Sequence, residues 1–262
     1  MIVIAGNCVL EDIETSVRTA EFLLEVSNRL GFNLIYKSSW KKDNRSSAEG
    51  FEGLSIESSI EIFSYLRRLG LTLITDFHTP EQLNLPLVDA VDWLQVPAYL
   101  CMQNELIFKM ADTGKPINIK KGQFLHPEDV RNIIGKINSR GNDQIAITER
   151  GTCFGYRDLV LDPRSLHILK EFGYPVFCDV GHLSRKYGVS SSDLIRGGDK
   201  RFVTTLAKSA IATGIDGIFV EVHPNPAKAK CDAATQLSFN EFEEMIEEVL
   251  PIWGIVNEGK SW

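Results

Sequence analysis

Short runs of apolar and β-branched residues alternate with longer amphipathic stretches along this chain of 262 residues. Continuous apolar runs are typical of strands in a parallel sheet that is buried on both faces. Eight units of strand and helix close into a barrel, so we predict an α/β protein with a (β/α)8 TIM barrel fold; a doubly wound sheet is the alternative. The predicted strands span residues 2–5, 33–36, 72–75, 93–96, 116–119, 144–148, 175–178 and 217–220.

The amphipathic stretches between these strands predict eight helices. Several begin with proline, at Pro80, Pro127 and Pro163, which is favoured in the first turn of a helix. No change in composition and no linker divides the chain, so we predict one catalytic domain over residues 1–262. The predicted helices span residues 13–30, 56–69, 80–88, 103–113, 127–138, 163–172, 200–213 and 239–253.

The overall charge limits the classes of partner. A net charge of −7 and a pI near 5.3 argue against a nucleic-acid-binding protein and against binding to an anionic membrane. The first residues lack the features of a signal peptide, and no run approaches the roughly 18 apolar residues of a membrane span. Five cysteines without CxxC spacing suggest reduced thiols. We therefore expect a cytoplasmic protein.

Polar side chains follow every predicted strand, where a barrel places its catalytic groups. The densest group is residues 37–47, KSSWKKDNRSS, with three lysines, one arginine, one asparagine and four serines. Such donors bind phosphate and carboxylate groups, although a solvated basic loop is the alternative. A barrel would bring cationic side chains of this block into one cavity with the cations that follow the fifth and sixth strands. The set is Lys37, Lys42, Arg45, Lys120, Lys121 and Arg150.

A second group combines thiol, imidazole and carboxylate side chains. Cys8 follows the first strand, His182 the seventh and Glu221 the eighth, and Asp232 lies in the last loop. These ligand types suit a divalent transition ion such as Zn²⁺, Fe²⁺ or Mn²⁺. His223 and Cys231 compete for the same roles. Two further pairs stay open: Asp76 and His78 suit either sugar hydroxyls or a helix cap, and Glu149 suits an ion pair that aims Arg150.

With these residues assembled, the sequence resembles the 3-deoxy-D-manno-octulosonate 8-phosphate synthase family over nearly its whole length. The basic block at residues 37–47 is the most specific motif. The other matching blocks are IAGNC at 4–8, TDFH at 75–78, QVPAYL at 95–100, NIKKGQFL at 118–125, TERGTCFGY at 148–156, DVGH at 179–182 and EVHPNPAKAKCDAATQL at 221–237.

The resemblance implies condensation of phosphoenolpyruvate with D-arabinose 5-phosphate and water, with release of phosphate, in lipopolysaccharide biosynthesis. Lys37, Lys42, Lys121 and Arg150 would bind phosphoenolpyruvate, and Gln95 and Ala98 would line its site. Asn44, Arg45, Ser46 and Asp76 would hold the sugar phosphate. Catalytic roles are expected for Lys37, Lys42, Asp76 and His182, and the family is homotetrameric.

Cys8 places the chain with the metal-dependent members, since metal-independent members have asparagine there. Cys8, His182, Glu221 and Asp232 would then bind one Mn, Fe, Co or Zn ion. Met102 stands where the family has an arginine that reaches the sugar phosphate of a neighbouring subunit, so Arg185 or Lys186 would supply the charge or the aldose would differ. The alternatives are a sialic-acid-type or heptulosonate-type synthase, a metal-dependent aldolase, and a non-catalytic sugar-phosphate-binding barrel.

Overall fold

The computed structural model is a closed barrel of eight parallel strands in which each strand pairs with its neighbours in chain order and β8 pairs with β1. It describes residues 1–43, 51–153, 156, 158–191 and 193–258. The predicted barrel is confirmed. The strands are β1 Ile2–Gly6, β2 Asn33–Lys37, β3 Thr72–Asp76, β4 Trp93–Val96, β5 Ile117–Lys120, β6 Ile145–Glu149, β7 Val176–Asp179 and β8 Gly217–Glu221.

Seven α-helices surround the strands in the described part of the chain: α1 Ile13–Leu30, α2 Ile56–Arg68, α3 Asn104–Asp112, α4 Val130–Asn138, α5 Pro163–Lys170, α6 Val203–Ile211 and α7 Phe239–Val256. Side-chain caps define several of their starts. Asp12 accepts a hydrogen bond from the backbone of Thr15 at the start of α1, and Ser238 and Glu241 form a capping box at the start of α7.

The predicted helix over residues 80–88 is wrong. The chain forms two short 3₁₀ segments there, Pro80–Asn84 and Pro86–Val88. Leu85 is extended, with φ −80° and ψ 147°, because the ring of Pro86 disfavours helical geometry in the residue before it. The predicted starts of two other helices, at residues 127 and 200, are also 3₁₀ turns that lead into α4 and α6.

Two apolar layers are separated by the wall of the barrel. Residues inside the barrel form a small cluster that includes Ile4, Ile35, Ile74, Phe177 and Phe219, while the larger core lies between the strands and the helices. Because side chains alternate between the faces of a strand, a residue two positions after an interior one also points inward. Within the described residues, no helix has the length and apolar character needed to cross a bilayer.

Candidate active site

One cavity lies at the carboxyl ends of the strands, where loops from β2 to β8 contribute side chains. It brings together nine of the predicted site residues: Lys37, Lys42, Asp76, Gln95, Ala98, Arg150, His182, Glu221 and Asp232. It is also lined by Pro97, Tyr99, Lys120, Arg185, Ser190, Ser191 and Cys231. Three predicted residues, Asn44, Arg45 and Ser46, lie outside the described part of the chain.

The alternation of side chains explains why these groups meet. Lys37, Asp76 and Glu221 each lie two positions after an interior apolar residue, namely Ile35, Ile74 and Phe219. Each therefore points into the barrel at the level where the apolar interior ends. The backbone hydrogen bonds between neighbouring strands continue through these polar residues, and several observed strands therefore end one residue later than predicted.

Lys37 and Asp76 form a buried pair in the cavity wall. The ammonium nitrogen of Lys37 lies 3.4 Å from Asp76 Oδ1 and donates to Ser39 Oγ at 2.7 Å. Burial opposes ionisation of Asp76, but the charges of Lys37 and Lys42 outweigh it and hold the pKa of the carboxyl below its usual value. Asp76 is thus a carboxylate, and the helix cap considered for this loop is supplied instead by Gln82, which accepts from the backbone N–H of His78 at 2.7 Å.

The prediction that Lys121 lines the cavity is wrong, because Lys120 does so in its place. The side chain of Lys121 is fully buried on the outer side of the barrel wall, and its Nζ lies 3.2 Å from Glu149 Oε1. The ammonium group donates to the backbone oxygens of Gly122, Leu125 and Gly151. Lys120 faces the cavity with its nitrogen 2.5 Å from Asp179 Oδ2. Burial lowers the pKa of Lys120 although Asp179 favours its charged form.

Glu149 does not aim Arg150 through an ion pair, as the sequence suggested. It accepts hydrogen bonds from the backbone N–H groups of Arg150 and Gly151, at 2.9 and 2.7 Å, and bonds Ser165 of α5. The Arg150 guanidinium is held by Gln123, whose Oε1 accepts at 2.9 Å. Gln123 was not anticipated, since no sequence signal separates it from other polar loop residues.

The four predicted metal ligands meet around Asp232. The thiol of Cys8 donates to Asp232 Oδ2 at 3.0 Å, and His182 Nε2 lies 3.8 Å from the same oxygen and 4.0 Å from Glu221 Oε1. Two sets of candidate ligand atoms share Asp232, one with Cys8 and Cys231 and one with His182 and Glu221, and within each set all atoms lie within 4.8 Å of one another.

The chemistry of this cluster fits a divalent ion. Both carboxylate oxygens of Glu221 are buried without a hydrogen-bond partner among the described residues, which is costly unless a cation occupies the space before them. His182 Nδ1 lies 2.9 Å from Asp179 Oδ2, and Nε2 on the other side of the ring lies nearest to Glu221 and Asp232. Asp179 was not among the predicted site residues, although its position two residues after interior Phe177 marks it as inward-facing.

Electrostatics act in opposite directions on the thiol and on the carboxyl groups of this cluster. Burial raises the pKa of the Cys8 thiol, and the neighbouring Cys231 and Asp232 raise it further, whereas a divalent ion would favour the thiolate form. Burial opposes ionisation of Asp232, but His182 and Lys42 outweigh it and lower the pKa of this carboxyl below its usual value. Burial likewise opposes ionisation of Asp179, and His182 and Lys120 lower the pKa of that carboxyl.

Comparison with known proteins gives one consistent result. A family model described as the DAHP synthetase I family matches residues 1–251. A 2-dehydro-3-deoxyphosphooctonate aldolase from Trichlorobacter lovleyi is 41% identical over 98% of this chain and 93% of its own length. The protein of the same name from Geobacter sp. is 40% identical over 97% and 93%. That from Magnetococcus marinus is 42% identical over 95% and 86%.

Proposed function

Because this chain belongs to the DAHP synthetase I family, we propose that it condenses phosphoenolpyruvate with D-arabinose 5-phosphate and water to give 3-deoxy-D-manno-octulosonate 8-phosphate and inorganic phosphate. The relatives are named as aldolases of a phosphorylated 3-deoxy-octonate, which corresponds to the product of this reaction. One observation carries the proposal: a single cavity joins a cationic wall to a cluster of thiol, imidazole and carboxylate groups.

The cationic wall suits phosphoenolpyruvate, which carries a phosphate and a carboxylate. We assign Lys37, Lys42, Lys120 and Arg150 to these two groups, with Gln95 and Ala98 lining the same end. Lys120 replaces Lys121 in this assignment because only Lys120 reaches the cavity. As the carbon–oxygen bond to phosphate breaks, these side chains neutralise the charge that develops on the departing phosphate.

The second substrate lies against the opposite groups of the cavity in this proposal. Asp76 accepts hydrogen bonds from the hydroxyls of the aldose, and Asn44, Arg45 and Ser46 bind its phosphate by resemblance to the family. Carbon 3 of the enol attacks the aldehyde carbon, and water adds to carbon 2. Holding both reactants in a fixed orientation removes much of the entropic barrier.

We further propose that Cys8, His182, Glu221 and Asp232 hold one Mn, Fe, Co or Zn ion in the working enzyme. A bound divalent ion supplies Lewis-acid polarisation of an oxygen, either of water or of the aldehyde. Asp179 Oδ2 lies 2.9 Å from His182 Nδ1, so that Nε2 is the ring nitrogen available to ligate the ion. We also infer a cytoplasmic homotetramer without nucleic-acid or membrane partners, in keeping with the net charge of −7.

The test is phosphate release from phosphoenolpyruvate with a panel of aldoses, together with detection of the 3-deoxy-2-keto acid product. We expect turnover with D-arabinose 5-phosphate, loss of activity after exhaustive chelation, and recovery with Mn²⁺, Co²⁺ or Fe²⁺. Turnover only with erythrose 4-phosphate or an unphosphorylated amino sugar would replace the second substrate. Full activity after chelation would contradict the metal assignment, and carbon–carbon bond formation without phosphate release would contradict the reaction class.

A further inference from the structure

Gln236 connects the two loops that carry Cys8 and Asp232. Its side chain is fully buried, and its two polar ends bind backbone groups of different loops. Oε1 accepts from the backbone N–H of Cys8 at 3.2 Å, and Nε2 donates to the backbone oxygen of Cys231 at 2.8 Å. One amide group therefore spans the gap between the loop after β1 and the loop after β8.

The loop after β8 needs such support. Asp232 has φ 45°, and it is the one non-glycine residue with positive φ in the described part of the chain. An aspartate adopts this left-handed conformation only where its surroundings hold it there. Glu11 supplies a second restraint, because its Oε1 accepts from the backbone N–H of Lys230 at 2.8 Å.

The unfavourable backbone at Asp232 places its carboxylate 3.0 Å from the sulfur of Cys8. The residues on either side of this contact are the ones that Gln236 binds, since it holds the backbone of Cys8 itself and of Cys231, the neighbour of Asp232. An amide suits this position because it offers one acceptor and one donor. An apolar side chain of equal length offers neither.

We propose that Gln236 is a positioning residue for the metal site: it sets the distance between the Cys8 sulfur and the Asp232 carboxylate before a divalent ion binds. This inference rests on the proposed metal-dependent function. Gln236 does not line the cavity in which the substrates would bind, so we expect its loss to weaken binding of the ion and to leave the chemical step of the fully loaded enzyme unchanged.

The experiment titrates metal-free protein with Co²⁺ and follows the near-ultraviolet charge-transfer band that reports a bond between thiolate and cobalt. Gln236→Met keeps the size of the side chain and removes both hydrogen bonds. Partners that orient metal ligands typically change metal affinity by about 10- to 100-fold when they are lost. We expect the Kd for Co²⁺ to rise by at least about tenfold, and kcat at saturating Co²⁺ to stay within about twofold of the wild type.

Gln82→Met is the matched control. Gln82 is also buried and also joins two loops, accepting from the backbone of His78 at 2.7 Å and donating to Asp43 at 2.5 Å, but neither loop carries a proposed metal ligand. We expect a comparable loss of Tm and an unchanged Kd for Co²⁺. An equal loss of Co²⁺ affinity in both variants would overturn the proposal, as would wild-type affinity in Gln236→Met.

Gln236→Asn serves if the methionine variant does not fold, because it keeps a buried amide that is too short to reach both backbones. It should also raise the Kd for Co²⁺. Failure of both variants to fold would contradict the proposal, since Gln236 would then belong to the fold rather than to the metal site. A wild-type protein that gives no thiolate band with Co²⁺ would instead contradict the metal assignment, whatever the variants do.

Discussion

Lys120 and Lys121 are consecutive residues at the end of β5, and their side chains point in opposite directions. Lys120 lines the cavity and pairs with the buried Asp179, whereas Lys121 pairs with Glu149 on the outer side of the barrel wall. A contact with substrate and a contact within the fold should respond differently to removal of the charge. The two lysines therefore offer a matched pair of substitutions of the same chemical type.

Lys120→Met should lower kcat/KM for phosphoenolpyruvate by about 10- to 150-fold, because a hydrogen bond to a charged group contributes about 1.5–3 kcal/mol. Each substitution removes the cationic partner of a buried carboxylate, Asp179 or Glu149, and should lower the free energy of unfolding by about 3–5 kcal/mol, but Lys121→Met should leave kcat/KM for phosphoenolpyruvate unchanged. Steady-state kinetics and urea unfolding of both variants check this. The reverse pattern, with kinetics disturbed only in Lys121→Met, would contradict the assignment of Lys120.

We expect Arg185, rather than Lys186, to compensate for Met102. It lines the cavity, and no carboxylate of the described residues forms an ion pair with it, whereas the neighbouring Lys186 does not line the cavity. Arg185→Met should raise the KM for D-arabinose 5-phosphate by at least about tenfold, from the loss of one charge-assisted contact. Turnover of unphosphorylated D-arabinose should not change.

Lys186→Met is the control for this prediction and should leave the KM values for D-arabinose 5-phosphate and for unphosphorylated D-arabinose unchanged. An equal effect of Arg185→Met on the phosphorylated and unphosphorylated sugars would show that Arg185 does not bind the sugar phosphate.

At the scale of elements, barrel closure depends on how closely β1 approaches β8. A Cβ atom at Gly217, the first residue of β8, would lie 1.7 Å from the backbone oxygen of Ile2, whereas a Cβ at Gly135 within α4 would meet nothing within 4 Å. Gly217→Ala should therefore destabilise the barrel by several kcal/mol, beyond the roughly 1–3 kcal/mol typical of overpacking, because the contact is with backbone. The expected result for Gly217→Ala is a urea unfolding midpoint below that of the wild type, with an unchanged m-value.

Gly135→Ala tests the same chemical change without the steric contact. It should raise the free energy of unfolding by about 0.4–1 kcal/mol, because alanine restricts the unfolded chain and favours the helix. Equal effects at positions 135 and 217 would mean that the close approach of β1 and β8 does not limit stability.

All eight strands could be predicted from the sequence because strands buried on both faces are almost continuously apolar. Their last residues could not, since Asp76, Asp179 and Glu221 interrupt the apolar run while their backbones remain paired. The helix predicted over residues 80–88 failed for a different reason. Its amphipathic pattern is compatible with a helix, but Pro86 removes a backbone donor and breaks the segment at Leu85.

The convergence of the site could also be predicted, since strand ends share one rim, but the direction of Lys121 could not. On most strands an apolar residue marks the interior face, whereas β5 presents Asn118 and Lys120 to the interior and Ile117 and Ile119 to the outer core. A rule that places apolar residues inside the barrel therefore assigns the wrong face to this strand. Asn118 is held inside by Gln95 and Thr148, contacts that only the folded barrel creates.

At the scale of the whole molecule, the charge of the cavity opposes that of the protein. The chain carries a net charge of −7, yet five cationic side chains line one cavity: Lys37, Lys42, Lys120, Arg150 and Arg185. Three carboxylates, Asp76, Glu221 and Asp232, line the same cavity, so positive charge remains in excess there and concentrates anionic ligands. The acidic remainder of the surface discourages nonspecific binding of larger polyanions, so the molecule as a whole favours small anionic substrates.

The assembled molecule supplies the last test, through Met102. This side chain is 44% exposed in the single chain, close in sequence to Tyr99, which lines the cavity and is 47% exposed. By resemblance, an arginine at this position reaches the sugar phosphate of a neighbouring subunit in a tetramer.

Met102→Arg should thus lower the KM for D-arabinose 5-phosphate by about tenfold, within the range for one charge-assisted contact, and should restore the affinity lost in Arg185→Met. Kinetics at protein concentrations on either side of the assembly transition, located by sedimentation velocity, check this. Rescue should occur only in the tetramer, because the new charge acts on the neighbouring site. Rescue in dissociated subunits would place the new charge in its own cavity, and a tetramer with an unchanged KM would remove position 102 from sugar recognition.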